Sequence, residues 1–222
     1  MALNVSRTYL DGTAELERLG YSAGWLPGGQ IDDLGRLAEI ARATTTVRVA
    51  SAIVELDVYP AELVADFYTR LEASAPVASC RVWAARRNPD PAVLNDYLDR
   101  LDHAEPPVPT RRRILAALGP RKLELARHRS AGAIMLLATD AYTRTARRIL
   151  GNRHSLVIDQ MLVLDTDATR ARHTARRPLR FLSGLRGYRA SFTRMGFTDT
   201  DIDAPEASTW SAPPDGLTPT KR

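Results

Sequence analysis

Residues Arg111 to Leu137 read RRRILAALGPRKLELARHRSAGAIMLL. Two short apolar runs, Ile114 to Leu118 and Ala133 to Ala138, lie on either side of a Gly-Pro corner and an amphipathic segment. Apolar runs of this length indicate buried strands, and a Gly-Pro pair indicates a tight turn. The stretch is therefore predicted to be a βαβ unit.

The corner of this unit is a candidate anion site. Gly119 lets the backbone turn closely, and Pro120 suits the first helical position because its missing N–H would have no intrahelical partner. The free N–H groups and the positive dipole end of the following helix would point out of the carboxyl end of the strand, beside Arg121 and Lys122. An ordinary βα turn with solvated basic residues is the alternative interpretation.

Strands and helices alternate along most of the chain. Further strands are predicted at Tyr21 to Gly29, where the apolar run passes into a Pro-Gly-Gly loop, at Val47 to Val54 and at Ser155 to Leu164, and helices with apolar stripes separate them. This alternation predicts an α/β fold with a mostly parallel sheet, and its single-wind regularity favours a (β/α)8 TIM-barrel type over a doubly wound sheet.

The predicted barrel is incomplete at both ends. Eight strands need about 250 residues, whereas this chain of 222 residues gives five clear strands and an altered sixth near residues 77–88. Arg81, Arg86 and Arg87 interrupt that sixth strand, and an unpaired charge in a core costs several kcal/mol. We predict one barrel domain over residues 1–203 and a disordered tail over 204–222, rich in Asp, Thr, Pro and Ser.

Composition limits the classes of function. The chain has a formal net charge of +5, a single cysteine (Cys80) and no apolar run near 18 residues, which predicts a cytoplasmic protein without membrane spans, disulfides or a thiolate metal cluster. The four histidines show no metal-ligand spacing. A basic excess permits nucleic-acid binding, but the arginines between Leu179 and Met195 are interpreted as a solvated helix face.

Several segments together resemble the bacterial luciferase-like monooxygenase superfamily and, within it, an actinobacterial branch of coenzyme F420-dependent oxidoreductases. They are Glu15 to Gly29 (ELERLGYSAGWLPGG), Val47 to Val54 (VRVASAIV), Pro60 to Glu72 with its ADFYTRLE ending, Ala116 to Ala126 (AALGPRKLELA) and Tyr188 to Ile202 with MGFTDTDI. The resemblance covers about Thr13 to Ile202 apart from Val77 to Asn88.

This resemblance implies a (β/α)8 barrel whose carboxyl end holds coenzyme F420, a deazaflavin hydride carrier with a phosphate and an acidic glutamyl tail, or alternatively FMN. It implies a wall formed by Trp25, Pro27, Gly28 and Gly29, a backbone bulge behind the ring formed by Ser51, Ala52, Ile53 and Val54, and phosphate contacts from Gly119, Pro120 and Arg121. Glu55 and Asp57, just past the strand, are candidate catalytic residues for a proton relay, with surface carboxylates as the alternative.

The chain departs from the family where Val77 to Asn88 replaces a glycine-containing strand, and where the first and eighth strands would be expected. The expected function is hydride transfer between F420 and a small organic substrate that the sequence does not identify. The alternatives are a degenerate, inactive family member, whose open sheet edge permits a homodimer, an FMN-dependent monooxygenase, and a basic nucleic-acid-binding protein.

Overall fold

The computed structural model of the chain describes residues 9–27, 33–74 and 91–203. A 3-10 turn at Thr110–Arg112 comes before β3. The helices and strands of the described part are, in chain order, α1 (Tyr9–Arg18), β1 (Ala23–Pro27), α2 (Gly35–Ala43), β2 (Arg48–Ala52), α3 (Ala61–Ser74), α4 (Pro91–Asp102), β3 (Leu115–Ala116), α5 (Pro120–Arg129), β4 (Gly132–Leu136), α6 (Asp140–Leu150), β5 (Ser155–Asp159), α7 (Ala168–Ser183), α8 (Arg186–Arg194) and α9 (Asp199–Asp203).

The strands form two parallel sheets. β1 pairs with β2, so that Trp25 lies opposite Ala50, and β3, β4 and β5 form a second sheet in that order, with Leu136 opposite Asp159. Within the described ranges no backbone ladder joins the two sheets. Because the strands of each sheet are parallel, their carboxyl ends lie along one edge of that sheet. The α/β class and the parallel pairing are therefore confirmed.

Side chains from both sheets meet in one apolar interior. Alternate residues of a strand point to opposite faces of its sheet. One face of each sheet is turned toward this interior. This interior cluster consists of Ala50, Ile114 and Ile134, with the half-buried Trp25, Ala52, Ala116 and Val157 packed against it. The two sheets thus share an inner face, as sheets that curve toward each other do.

The opposite faces of the strands pack against the helices in a second, larger core. Leu26 and Val49 from the first sheet and Ala133 and Met135 from the second belong to it and are almost fully buried. The helices contribute apolar stripes. On α2, for example, the buried residues, Leu37 among them, follow helical spacing. A layer of helices outside parallel strands is the arrangement that the alternating sequence pattern predicts.

A buried arginine ties the second sheet to α4 at the amino-terminal end of β3. The side chain of Arg113 is 2% exposed and donates a hydrogen bond of 2.6 Å to Asp102 and another to the carbonyl oxygen of Val108. Arg129 on α5 reaches the same carboxylate at 2.8 Å and Asp99 at 2.7 Å. These charges lie opposite to the carboxyl ends of the strands, so we assign them to stability rather than to function.

Two details differ from the sequence-based expectations. The predicted strand Ser155 to Leu164 is shorter, because β5 ends at Asp159 and Leu162 and Leu164 are 83% and 97% exposed. A proline within a helical pattern predicts a break, but Pro178 lies inside α7, which continues to Ser183. The altered strand near 77–88, the tail 204–222, Gly28 and Gly29 lie outside the described residues.

Among the described helices, none is long and apolar enough to cross a membrane. The same part of the chain contains no group of three or more His, Cys, Asp or Glu residues placed to hold a metal ion.

Candidate active site

The carboxyl end of β2 places its residues alternately on the two faces of the sheet. Ala52 is half-buried against the apolar interior, and a cis peptide bond joins it to Ile53. Ser51 points to the opposite face, is fully buried, and its hydroxyl has no hydrogen-bond partner among the described residues. Val54 is 1% exposed and belongs to the helix-side core. Of these four residues, Ala52 is the one whose side chain packs against the apolar interior.

Glu55 and Asp57 lie in the turn that follows β2. The N–H groups of Val58 and Tyr59 donate to the carbonyl oxygen of Glu55 at 3.1 and 2.9 Å, which closes this turn. The side chain of Glu55 is half-buried and that of Asp57 is exposed. Both carboxylates are therefore near the carboxyl end of β2, as the sequence predicts, and their role in proton transfer stays a prediction.

Trp25 on β1 is the aromatic residue of the apolar interior. It lies opposite Ala50 in the parallel register, and its half-buried side chain packs against the interior cluster. Two residue pairs further along, Pro27 lies opposite Ala52 and ends the strand. Trp25 and Ala52 thus form an apolar wall below the carboxyl end of the first sheet.

The Gly119-Pro120 corner joins β3 to α5 as the sequence predicts. Pro120 is the first residue of α5, and the N–H groups of Lys122 and Leu123 donate to the Gly119 carbonyl oxygen at 3.1 and 3.0 Å. The helix has no side-chain N-cap, so the amide of Arg121 stays available at the positive end of its dipole. The φ of Gly119 is −148°, which any residue adopts. The backbone conformation at this position therefore does not require a glycine.

The space at Gly119 is taken by an arginine from α8. A Cβ atom on residue 119 would lie 3.3 Å from Nη2 of Arg194, and the same Nη2 donates a 2.9 Å hydrogen bond to the carbonyl oxygen of Leu118. The hydroxyls of Tyr142 and Ser191 donate to that oxygen at 3.2 and 3.4 Å. Arg194 therefore adds an exposed guanidinium to the corner.

Basic groups converge on this corner from two helices. Arg121 in the first turn of α5 is exposed, and Lys122 next to it is half-buried, so that burial lowers the pKa of its ammonium group. Together with the amide of Arg121 and the guanidinium of Arg194, they form a site suited to a phosphate or carboxylate. We call Gly119, Pro120, Arg121 and Arg194 the basic corner.

Helix α8 and the residue after it lie along the carboxyl ends of the second sheet. Ser191 and Arg194 bond to Leu118 after β3, and the amide of Thr139 after β4 donates to Sδ of Met195 at 3.4 Å. Burial, and then the charge of Asp159 at the end of β5, raise the pKa of the Tyr188 phenol on α8. The sequence predicts a helical stripe here, but it gives no signal for where the helix packs.

Asp159 is a titratable residue that sequence reasoning missed. It is the last residue of β5, two positions after Val157 of the apolar interior, and lies opposite Leu136. Burial raises the pKa of its carboxyl group. The available sequence signal was a lone carboxylate within the apolar run Ser155 to Leu164.

A groove of about 830 Å³ lies on the other face of β5 and is not part of this edge. Leu156 and Ile158 form its apolar side, and α6 contributes Arg144, Arg147 and Arg148. Because Leu156 and Ile158 alternate with Val157 and Asp159, the groove opens on the helix side of the sheet.

Comparison with known proteins identifies similar folds. No protein-family model matches the chain, and no curated protein matches it in sequence. Among solved structures, an F420-dependent secondary alcohol dehydrogenase in complex with an F420-acetone adduct is similar with a TM-score of 0.62 at 14% identity, over 92% of this chain and 82% of that one. The apo structure of MsnO8 is similar with a TM-score of 0.54 at 18% identity, over 86% and 74% of the two chains. The chain therefore shares its parallel α/β fold with an F420-dependent oxidoreductase.

Proposed function

We propose that this chain is an F420-dependent oxidoreductase of the luciferase-like type, which transfers a hydride between coenzyme F420 and a small organic substrate. The observation that carries the proposal is the basic corner, because it combines a free helix N-terminus with the Arg194 guanidinium at the carboxyl end of β3. The fold likeness to an F420-dependent dehydrogenase supports the same coenzyme.

The anionic part of the coenzyme matches the basic corner. A phosphate there would accept hydrogen bonds from the amide of Arg121 and from the guanidinium groups of Arg121 and Arg194, none of which is tied up in an ion pair among the described residues. Charge-assisted bonds of this kind are short and strong. An acidic glutamyl tail would also gain from the net charge of +5 of the chain.

The planar ring of the coenzyme matches the apolar interior. Trp25 and Ala52 expose part of their surface at the inner side, and Ile53 follows directly. Apolar side chains with few polar atoms are typical of pockets that bury flat cofactors. We propose that the carboxyl ends of both sheets open into one mouth, as in a (β/α)8 barrel.

The residues of the chain would bind and orient rather than carry the redox chemistry. The bound deazaflavin supplies the hydride. Arg121 and Arg194 would fix the phosphate, and Trp25 and Ala52 would exclude water from one side of the ring, which strengthens electrostatic interactions at the site. Glu55 and Asp57 stay candidates for moving a proton at the carboxyl end of β2. We also propose that a homodimer covers the open sheet edge.

A coenzyme titration tests this function. Purified protein is titrated into F420 and, separately, into FMN, and the change in coenzyme fluorescence is read. We expect saturable binding of F420 in the micromolar range and weaker binding of FMN. Binding without turnover of any alcohol or carbonyl compound would indicate a degenerate, inactive relative. Absence of binding at high micromolar F420 would contradict the proposal.

A matched pair of variants separates the basic corner from general basic charge. Arg121→Gln removes a corner guanidinium, whereas Arg148→Gln removes an exposed arginine on α6. We expect weaker F420 binding for the first and unchanged binding for the second. Retention on DNA that falls steeply with salt and responds equally to both changes would favour nucleic-acid binding instead.

A further inference from the structure

The carboxyl end of β5 carries an acid on the inner face of the second sheet. Side chains alternate along a strand, and Val157 packs against the apolar interior beside Ala116 and Ile134. Asp159, two residues later, is therefore on the same face, one layer nearer the edge. Its own carbonyl oxygen accepts the amide of Leu137 at 2.9 Å, which fixes the backbone at this point.

The next residue in the chain fixes this position, and helix α8 carries a phenol and an arginine. Gln160 donates a 2.9 Å hydrogen bond from its side-chain amide to the carbonyl oxygen of Ala138, and so ties the end of β5 to the loop after β4. Tyr188 on α8 is half-buried and packs beside Phe192, with ring centroids 6.4 Å apart. Helix α8 also presents Arg194 to the basic corner. The acid, the phenol and the basic corner thus share one edge of the sheet.

We propose that Asp159 is the proton-transfer group of the site, and that the substrate is a carbonyl compound or the corresponding alcohol. The proposal rests on the F420 function proposed above and adds to it the acid–base residue and the substrate class.

The electrostatics of the two side chains agree with this role. Burial raises the pKa of Asp159, so the carboxyl group keeps its proton closer to neutral pH than an exposed aspartate does. Burial, and then the charge of Asp159, raise the pKa of Tyr188, so the phenol stays protonated and can donate a hydrogen bond. Among the described residues, Tyr188 is the titratable group whose pKa responds to the Asp159 charge.

The reaction balances with these groups. A hydride would leave the reduced deazaflavin as its C–H bond breaks and would add with its electron pair to the carbonyl carbon. The electron pair of the C=O π bond would take the proton from Asp159 as the Oδ–H bond breaks. The carbonyl compound is reduced to an alcohol, the reduced deazaflavin is oxidised, and water returns a proton to the carboxylate. In the opposite direction the Asp159 carboxylate accepts the alcohol proton.

Carbon-13 NMR of carboxyl-labelled aspartate and glutamate tests the assignment without a known substrate. The Asp159 signal of the wild-type protein is followed through a pH titration, first alone and then with saturating oxidised F420, and coenzyme fluorescence reports binding in the same sample. Asp159→Asn assigns the signal, and Asp159→Glu, which moves it into the glutamate range, replaces that variant if it does not fold. Glu55→Gln and Asp57→Asn assign the competing carboxyls.

We expect F420 to move the Asp159 signal in step with the fluorescence change and to raise its pKa by about one unit, because the coenzyme is acidic. If F420 binds but the Asp159 signal stays in place, or the Glu55 or Asp57 signal moves instead, Asp159 is not the group and the inference is wrong while the coenzyme assignment stands. If no F420 binds, the proposed function itself fails and the inference falls with it.

Discussion

The guanidinium of Arg194 lies over Gly119, with Nη2 3.3 Å from the place of a Cβ atom on that residue and 2.9 Å from the Leu118 carbonyl oxygen. The two residues are far apart in the sequence, so the basic corner depends on how α8 packs. Arg194→Gln keeps a hydrogen-bond donor but removes the charge. We expect about five- to thirtyfold weaker F420 binding, since one charge-assisted hydrogen bond is worth about 1–2 kcal/mol net.

Fluorescence titration at low and high salt checks this expectation, and the difference from wild type should shrink as salt screens the charge. Arg186→Gln is the matched control, because Arg186 begins the same helix and is exposed. Equal losses in the two variants would show that Arg194 acts only through the overall positive charge.

Local sequence signals were enough to predict most of the helices and strands. β-branched and apolar runs predicted the positions of the five described strands. Aspartate is a favoured N-cap residue, and Asp167 caps α7 by accepting the amides of Thr169 and Arg170. Gly20 and Gly151 end helices with φ of +84° and +82°, as expected of glycines after a helix. These features depend on neighbours within a few residues, which a sequence displays directly.

The candidate site was predicted only in part because its remaining members meet through tertiary packing. The Gly119-Pro120 corner is a local motif and was found. Arg194 looked like one of several solvated arginines, since nothing in the sequence states that α8 and the residue after it lie along the carboxyl ends of β3 and β4. The face on which Ser51 lies also depended on the register of β1 with β2.

Gly132 should be among the positions least tolerant of substitution. A Cβ atom there would lie 2.0 Å from the Ser155 carbonyl oxygen, which belongs to the backbone of the neighbouring strand and cannot move aside. We expect Gly132→Ala to destabilise the protein by about 3 kcal/mol or more, measured by urea unfolding. Gly12 lies on helix α1, and the methyl group that Gly12→Ala adds meets nothing within 4 Å. We expect this variant to gain about 0.5–1 kcal/mol in free energy of unfolding. Similar effects of both changes would contradict the close strand approach.

The buried guanidinium of Arg113 should need Asp102 as its counter-charge for the fold to be stable. Burial alone would raise the pKa of Asp102, but the hydrogen bonds and charges of Arg113 and Arg129 outweigh it and lower that pKa. Asp102→Asn leaves a guanidinium that is 2% exposed without its counter-charge. We expect a loss of about 3 kcal/mol in urea unfolding, at the low end for buried pairs because Asp102 is 40% exposed.

Asp66→Asn is the control for that ion pair. Its partner Arg70 lies one helical turn away at 3.0 Å, and both side chains are more than 60% exposed. Surface pairs of this kind contribute less than about 1 kcal/mol. If the two aspartate variants lose equal stability, the buried position of Arg113 has no energetic consequence.

The segment after β5 should promote self-association. Met161, Leu162, Val163 and Leu164 are 47%, 83%, 37% and 97% exposed, and β5 is at the edge of its described sheet. An exposed apolar strip beside an open edge invites pairing with a second copy. We expect the double variant Leu162→Lys with Leu164→Lys to lower the mass measured by light scattering at high protein concentration. Val93→Lys, at a 48% exposed position on α4, should leave the mass unchanged.

Low pH should lower the folding stability of the protein through protonation of Glu17. Its carboxylate accepts hydrogen bonds from the amides and hydroxyls of Thr45 and Thr46 and from the amide of Val47, and so holds the loop before β2 to α1. The hydroxyl and amide of Thr46 contribute most to lowering the pKa of Glu17 from 4.5 to about 2. Because the pKa of Glu17 is lower in the folded state, its carboxylate stabilises the fold fully at pH values above the ordinary pKa of 4.5. This stabilisation is lost as the pH falls from about 4.5 to about 2.

The free energy of unfolding in urea, measured at several pH values, tests this contribution. We expect Glu17→Gln to be less stable than wild type at neutral pH, with a difference that narrows below pH 4.5 as the wild-type carboxylate loses its charge. Thr46→Val keeps the carboxylate but removes the strongest donor, so its folded-state pKa rises and the pH range over which stability is lost moves upward. A difference between wild type and Glu17→Gln that stays constant across this range would contradict the assignment, because a contact without a pKa change has no pH dependence.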